Sequence, residues 1–132
     1  MTVVGIGVDV VEVSRIERAL SRWGEAFARR IYTTAEVSRA DAGAARTSRL
    51  AARFAAKEAV MKALGVGWRA LAWRDIEITN DALGQPVVHL RGSARRIAEQ
   101  RGIRRVLVAL SHTHEHAVAN AIALADPSGD DG

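Results

Sequence analysis

The chain contains no cysteine. That removes disulfides, thiol catalysis and every zinc site built on thiolates, and it suits a reducing compartment. No apolar run approaches the ~20 residues needed to cross a bilayer. The N-terminus lacks the charged start, apolar centre and small-residue cleavage site of a signal peptide. A cytoplasmic location away from membranes is the expectation. Aromatic residues make up only 5%, and no helical segment carries a dense Arg/Lys stripe. A basic nucleic-acid-binding module would therefore lack both its stacking platform and its phosphate track.

What is there is an ordinary globular balance. The 132 residues are 48% hydrophobic and 26% charged, enough for one domain that buries roughly 65–70% of its unfolded surface. The charge is uneven. Three of the fifteen acids, Asp126, Asp130 and Asp131, fall in the last seven residues, leaving nineteen bases against twelve acids, a net +7, over residues 1–125. A basic body favours an acidic partner. The expected organisation is one domain over residues 1–125 and a disordered tail over 126–132.

Periodicity and punctuation place the elements. Val3 to Val11 reads as a buried strand. Ser14 with Glu17 forms a capping-box pattern for a helix that runs to Trp23 and stops at Gly24. Thr33 with Glu36 repeats the pattern for a short helix, and residues 42–45 read as a loop. The segment from about Ser48 to Leu64 is rich in Ala and Leu and closes at Gly65, a strong helix signal. Trp73 to Thr79 and Pro86 to Leu90 read as strands around a turn at Asn80–Gly84. Ser93 to Gln100 is a helix closed by Gly102. Arg105 to Ser111 and His116 to Leu124 are two further strands.

The informative residues are charges where apolar groups belong. Asp9 lies within the first strand. Alternation puts Gly5, Gly7 and Asp9 on one face and Val4, Ile6, Val8 and Val10 on the other. The two glycines clear space beside the carboxylate for a ligand to approach the backbone. Asp9 is then either a strand-end acceptor of backbone hydrogen bonds or a charge awaiting a cation or metal. The long helix repeats the anomaly. At ~100° per residue, Leu50, Phe54, Met61 and Leu64 share a sector of roughly 80°. Lys57 falls inside that sector and Glu58 and Lys62 at its edge. Glu58 and Lys62 are either a surface pair with Lys57 snorkelling, or part of a site. Two carboxylates from different elements suit a hard dication such as Mg²⁺, which takes one or two carboxylates and fills its shell with water and phosphate oxygens. Lys57, Lys62 and Arg53 would then complete a phosphate clamp.

His112, His114 and His116 alternate, as three imidazoles on one strand face would, and this raises the alternative of a small zinc metallohydrolase. Only His89 remains outside the segment. A strand–turn–strand connection with solvent-facing imidazoles is the simpler account of His114 and His116.

Four stretches carry a resemblance. Gly5-Ile-Gly-Val-Asp9-Val-Val-Glu12 with Arg15-Ile16, Phe27-Ala-Arg-Arg-Ile-Tyr-Thr33 with Glu36, and Arg53-Phe-Ala-Ala-Lys57-Glu58-Ala with Lys62-Ala-Leu-Gly65 follow one another in order. Asp75-Ile-Glu-Ile, Gly84-Gln-Pro86 and Val108-Ala-Leu-Ser111-His112 complete them. Together they resemble the holo-[acyl-carrier-protein] synthases, the small bacterial class of 4′-phosphopantetheinyl transferases. The resemblance implies an α+β single domain, with an antiparallel sheet packed against a long central helix, assembled as a homotrimer. It implies Mg²⁺-dependent transfer of the 4′-phosphopantetheine arm of coenzyme A to a serine of apo acyl carrier protein, releasing adenosine 3′,5′-bisphosphate, in fatty-acid and polyketide synthesis. Carried over position by position, Asp9 and Glu58 would hold the metal and, with Lys62, act in catalysis. Lys62, Arg53, Gly65, Pro86 and His112 would hold coenzyme A, and Arg15 and Arg22 would face the carrier protein. Trp68 and Trp73 match no role in the family pattern.

Overall fold

Alternation along the opening strand decides how the longest helix is seated. In the computed structural model, which describes residues 1–41 and 45–127, strand β1 (Thr2–Glu12) runs directly into helix α1 (Val13–Trp23). Short helices α2 (Glu25–Ile31) and α3 (Thr34–Ala40) follow, then the nineteen-residue α4 (Arg46–Leu64). A 3-10 turn at Trp73–Asp75 leads into β2 (Ile76–Asn80) and β3 (Pro86–Leu90), then α5 (Gly92–Gln100), β4 (Ile103–His112) and β5 (His116–Ala125). β1, β5 and β4 form one antiparallel sheet in that order, and β2 and β3 form a separate hairpin. The expected α+β class with antiparallel pairing is what is found. The expected loop at 42–45 and tail at 126–132 fall largely outside the described residues.

Thirteen residues of α4 are buried, and on the sheet its neighbours are Val11, Ala117, Ala119, Ala121 and Ala123. The small side chains let the helix lie close. At β1 the approach is closer still. A Cβ built on Gly5 would overlap the Ala63 carbonyl oxygen. One on Gly7 would overlap the Ala59 carbonyl oxygen and lie 2.9 Å from both Ala63 N and Lys62 Cβ. The space cleared by the two glycines is thus filled by the backbone of α4, which corrects the expectation that a ligand would use it. The opposite face of β1 is open: Val4, Ile6, Val8 and Val10 are all more than half exposed.

The local signals resolve unevenly. The Thr33–Glu36 capping box forms in full, with both reciprocal hydrogen bonds. The Ser14–Glu17 box does not: α1 starts at Val13 with no side-chain cap, and its first N–H instead donates to the Glu115 carbonyl at 2.8 Å, continuing the β1–β5 ladder. The helix α2 was not expected at all. Gly65 closes α4 at φ 80°, a left-handed conformation that favours glycine.

Replacement of Gly7 by Ala should destabilise the fold by about 3 kcal/mol or more, the upper range for overpacking. Gly67→Ala is the control, because a Cβ there meets nothing within 4 Å. Urea midpoints of the two variants against wild type check this, and a Gly7→Ala midpoint equal to wild type would refute the close-approach account.

Candidate active site

Crossing β1 over α4 at the glycines brings the next inward residue of the strand, Asp9, to the edge of the helix that carries Glu58 and Lys62. The Lys62 ammonium donates to the Val8 carbonyl at 2.9 Å and lies 3.4 Å from Asp9 Oδ1. Glu58 is partly buried, and burial pushes its carboxyl above the ordinary range. The nearby Asp9 charge pushes the same way, and Lys62 and Arg15 only partly oppose them. Two acids from distant parts of the chain therefore share one neighbourhood, with Lys62 beside them and Arg15 within electrostatic reach. Lys62 thus pairs with Asp9 across the strand–helix contact, and Asp9 and Glu58 act on one another electrostatically.

Lys57 is elsewhere, which corrects its expected place in a phosphate clamp. Its side chain is fully buried and pairs with the equally buried Glu36 at 2.8 Å. The ammonium also donates to the Trp73 carbonyl at 3.1 Å and to the Ile76 carbonyl. Burial holds this ammonium below the ordinary lysine range even though Glu36 opposes the shift. Glu36 uses both oxygens: one accepts from Thr33 N–H at 2.8 Å, the other from Ile78 N–H at 2.8 Å. The Thr33 hydroxyl in turn donates to Glu77 at 2.6 Å, and Arg91 donates to the other Glu77 oxygen at 2.6 Å. Burial of Glu77 would raise its pKa, but these donors and the Arg91 charge outweigh it and hold the carboxyl low. The network ties α3, α4 and the β2–β3 hairpin together. Sequence reasoning used Glu36 only as a cap; the signal for its second role was Lys57 itself, a cation in an apolar sector that demands a buried counter-charge.

Of the remaining expected site residues, Arg15 acts electrostatically on Glu58, and among the described residues none makes a hydrogen bond or ion pair with Asp9 or Glu58. Arg53 is buried; its guanidinium donates to Asn80 Oδ1, and its Nε has no partner among the described residues. Burial lowers its pKa. Gly65 sits at the end of α4 against Arg101, which donates to the Leu64 carbonyl. Pro86 lines a cavity of about 1180 Å³ between β3, α5 and β4, to which none of Asp9, Glu58, Lys62, Arg53 or His112 contributes. His112 is exposed at the end of β4. Arg15 and Arg22 are exposed on α1, with Arg22 stacked on Trp23 at 4.6 Å. His114 and His116 are exposed at the β4–β5 connection, and among the described residues no three His, Asp or Glu side chains gather as a metal site.

A family model for the 4′-phosphopantetheinyl transferase superfamily matches residues 5–121. The chain belongs to that family. Within it, this 4′-phosphopantetheinyl transferase is similar to the holo-[acyl-carrier-protein] synthase of Desulforudis audaxviator, 52% identical over 122 residues that cover 92% of this chain and 93% of that one. Its fold matches the crystal structure of the synthase from Neisseria meningitidis with a TM-score of 0.85 at 38% identity, covering 93% and 99% of the two chains. A synthase from Bacillus anthracis, solved in complex with CoA (3′,5′-ADP), matches with a TM-score of 0.76 at 34% identity over 96% and 100%.

Replacing Lys57 by Met would strand the Glu36 carboxylate in the core. Thermal and urea denaturation should show a loss of about 3–5 kcal/mol, the range for breaking a buried pair. A loss under about 1 kcal/mol would mean that Glu36 is not held as an ion.

Proposed function

We propose that this chain transfers the 4′-phosphopantetheine arm of coenzyme A to a serine hydroxyl of an apo acyl carrier protein, releasing adenosine 3′,5′-bisphosphate. The observation that carries the reading is the meeting of Asp9, Glu58 and Lys62 in a member of this transferase family. Mg²⁺ is the metal the family implies, and the residues present fit it. The donors are two carboxylates, hard oxygen ligands; burial and then the Asp9 charge lift the Glu58 pKa, with Lys62 as the nearby compensating charge. An ion that takes one or two carboxylates and leaves its other positions to water and phosphate oxygens matches that set. Asp9 and Glu58 would hold it, and when bound it supplies charge neutralisation at the pyrophosphate.

The chain's own residues do the rest. Asp9 takes the proton of the incoming serine as its oxygen bonds to the β-phosphorus and the pyrophosphate P–O bond breaks. Lys62 offsets the negative charge on the departing bisphosphate. Arg53, Gly65, Pro86 and His112 hold coenzyme A. Arg15 and Arg22 face the acidic carrier protein, where a +7 body raises the association rate. Among the described residues no helix is long and apolar enough to cross a membrane, and a cytoplasmic setting goes with this reading.

The working unit is a homotrimer. Val4, Ile6, Val8 and Val10 share one sheet face with exposed Leu107, Val118 and Ile122. A contiguous apolar face of this kind is unusual on a lone small protein and suits burial between copies. Separation of Pro86 and its cavity from the acid pair in one chain is consistent with a site completed by a neighbour. Sedimentation equilibrium should give three times the chain mass; a monomer at micromolar concentration would rule this assembly out.

Incubation with coenzyme A, Mg²⁺ and apo carrier protein should add roughly 340 Da to the carrier by mass spectrometry, the mass of the phosphopantetheine arm itself. Asp9→Asn and Glu58→Gln should each lower the rate by about 10²-fold or more with the fold retained. Normal turnover by either variant in saturating Mg²⁺ would remove that residue from the site.

A further inference from the structure

Trp68 and Trp73 take no part in the site above, yet with Arg30, Arg69, Leu71 and Ala72 they line a surface cavity of about 370 Å³ between α2 and the loop after α4. We propose that this cavity is a second anchoring point for the acidic carrier protein, receiving one apolar side chain of its surface while neighbouring carboxylates pair with Arg30 and Arg69. The inference rests on the function proposed above and names a determinant of partner choice within it.

Three observations carry it. The lining joins apolar side chains to two cations and contains no acid, and among the described residues neither Arg30 nor Arg69 makes an ion pair. Such a lining complements an amphipathic acidic surface rather than a neutral one. The indole of Trp68 is 46% exposed, and the Arg69 guanidinium stacks over it at 5.0 Å. A large aromatic held at a rim beside an arginine is the kind of residue that dominates binding energy when a partner covers it. The inner wall of the cavity also packs toward the side of the molecule that carries Arg15. Its buried wall, Trp73, stacks on Phe54 at 4.8 Å, Arg15 lies 6.0 Å from the Phe54 ring, and Arg15 acts electrostatically on Glu58. A carrier protein engaging Arg15 is therefore proposed to extend to this cavity as well. None of Arg53, Gly65, Pro86 and His112 lines it, which separates it from the groups assigned to coenzyme A.

The test compares wild type with Arg30→Glu, Arg69→Glu and Trp68→Ala. Affinity for apo carrier protein is measured by titration calorimetry without coenzyme A, and KM for each substrate is measured in parallel. Each charge reversal should weaken carrier binding about tenfold, and Trp68→Ala at least about threefold, with KM for coenzyme A within about twofold of wild type. Arg69→Lys should recover most of the loss. Arg30 is exposed on α2, so Arg30→Glu should keep the wild-type melting temperature and stands as the control against misfolding. Unchanged carrier affinity in all three variants overturns the inference. So does a raised KM for coenzyme A with carrier affinity unchanged, which would assign the cavity to the nucleotide. If wild type modifies the carrier while the variants bind it normally, only this inference fails. If wild type neither binds nor modifies it, the proposed function fails as well.

Discussion

The approach of β1 to α4 is the constraint on which the site depends. At Gly5 and Gly7 the strand backbone meets the helix backbone with no side chain between them. That contact fixes where the next inward position of the strand emerges, and the residue there is Asp9. It also fixes the face of α4 that stays uncovered, which is where Glu58 and Lys62 lie. Two acids that repel one another would not be neighbours in a relaxed chain. The burial of small residues along Ala59, Ala63, Ala119, Ala121 and Ala123 holds them there, with the hydrophobic term set against the electrostatic one.

A second, dry arrangement supports the first. Lys57 and Glu58 are adjacent, yet one is sealed in the core against Glu36 and the other reaches the edge. A helix whose ammonium must find Glu36, the Trp73 carbonyl and the Ile76 carbonyl at once has little freedom to rotate about its axis. The buried pair is expensive to desolvate, and its return is orientation: it sets the angle at which the following residue leaves the helix. Arg53, one turn earlier, is tied to Asn80 in the hairpin and so shares the same frame.

Legibility of these features in the sequence followed the range of the interaction. Asp9 and Glu58 stood out because a charge amid valines or alanines breaks a periodic pattern that can be counted locally. The Thr33–Glu36 cap and the Gly65 stop were readable for the same reason, since each involves residues within one helical turn. The Ser14–Glu17 box misled because its competitor is remote: the Glu115 carbonyl arrives from the far end of the chain to take the Val13 N–H. Helix α2 was missed because seven residues with no side-chain cap leave almost no signature. The role of the two glycines was read with the right freedom and the wrong occupant. Only the tertiary packing shows that a helix, not a ligand, fills the gap. The partner of Lys57 was hidden likewise, twenty-one positions upstream at Glu36 and already explained by its cap.

The opening strand serves two masters through a period of two. Its odd-numbered residues from Gly5 to Val11 meet the helix and carry the acid, and its even-numbered valines and isoleucine form the outer apolar row. The irregularity between Val3 and Gly5 in the pairing with β5 marks where this phase is set. Loss or gain of one residue after that point would exchange the two rows: valines would be driven into the helix backbone and the carboxylate turned outward. Frame is therefore a chemical property of this strand, fixed from Gly5 onward by the backbone of α4.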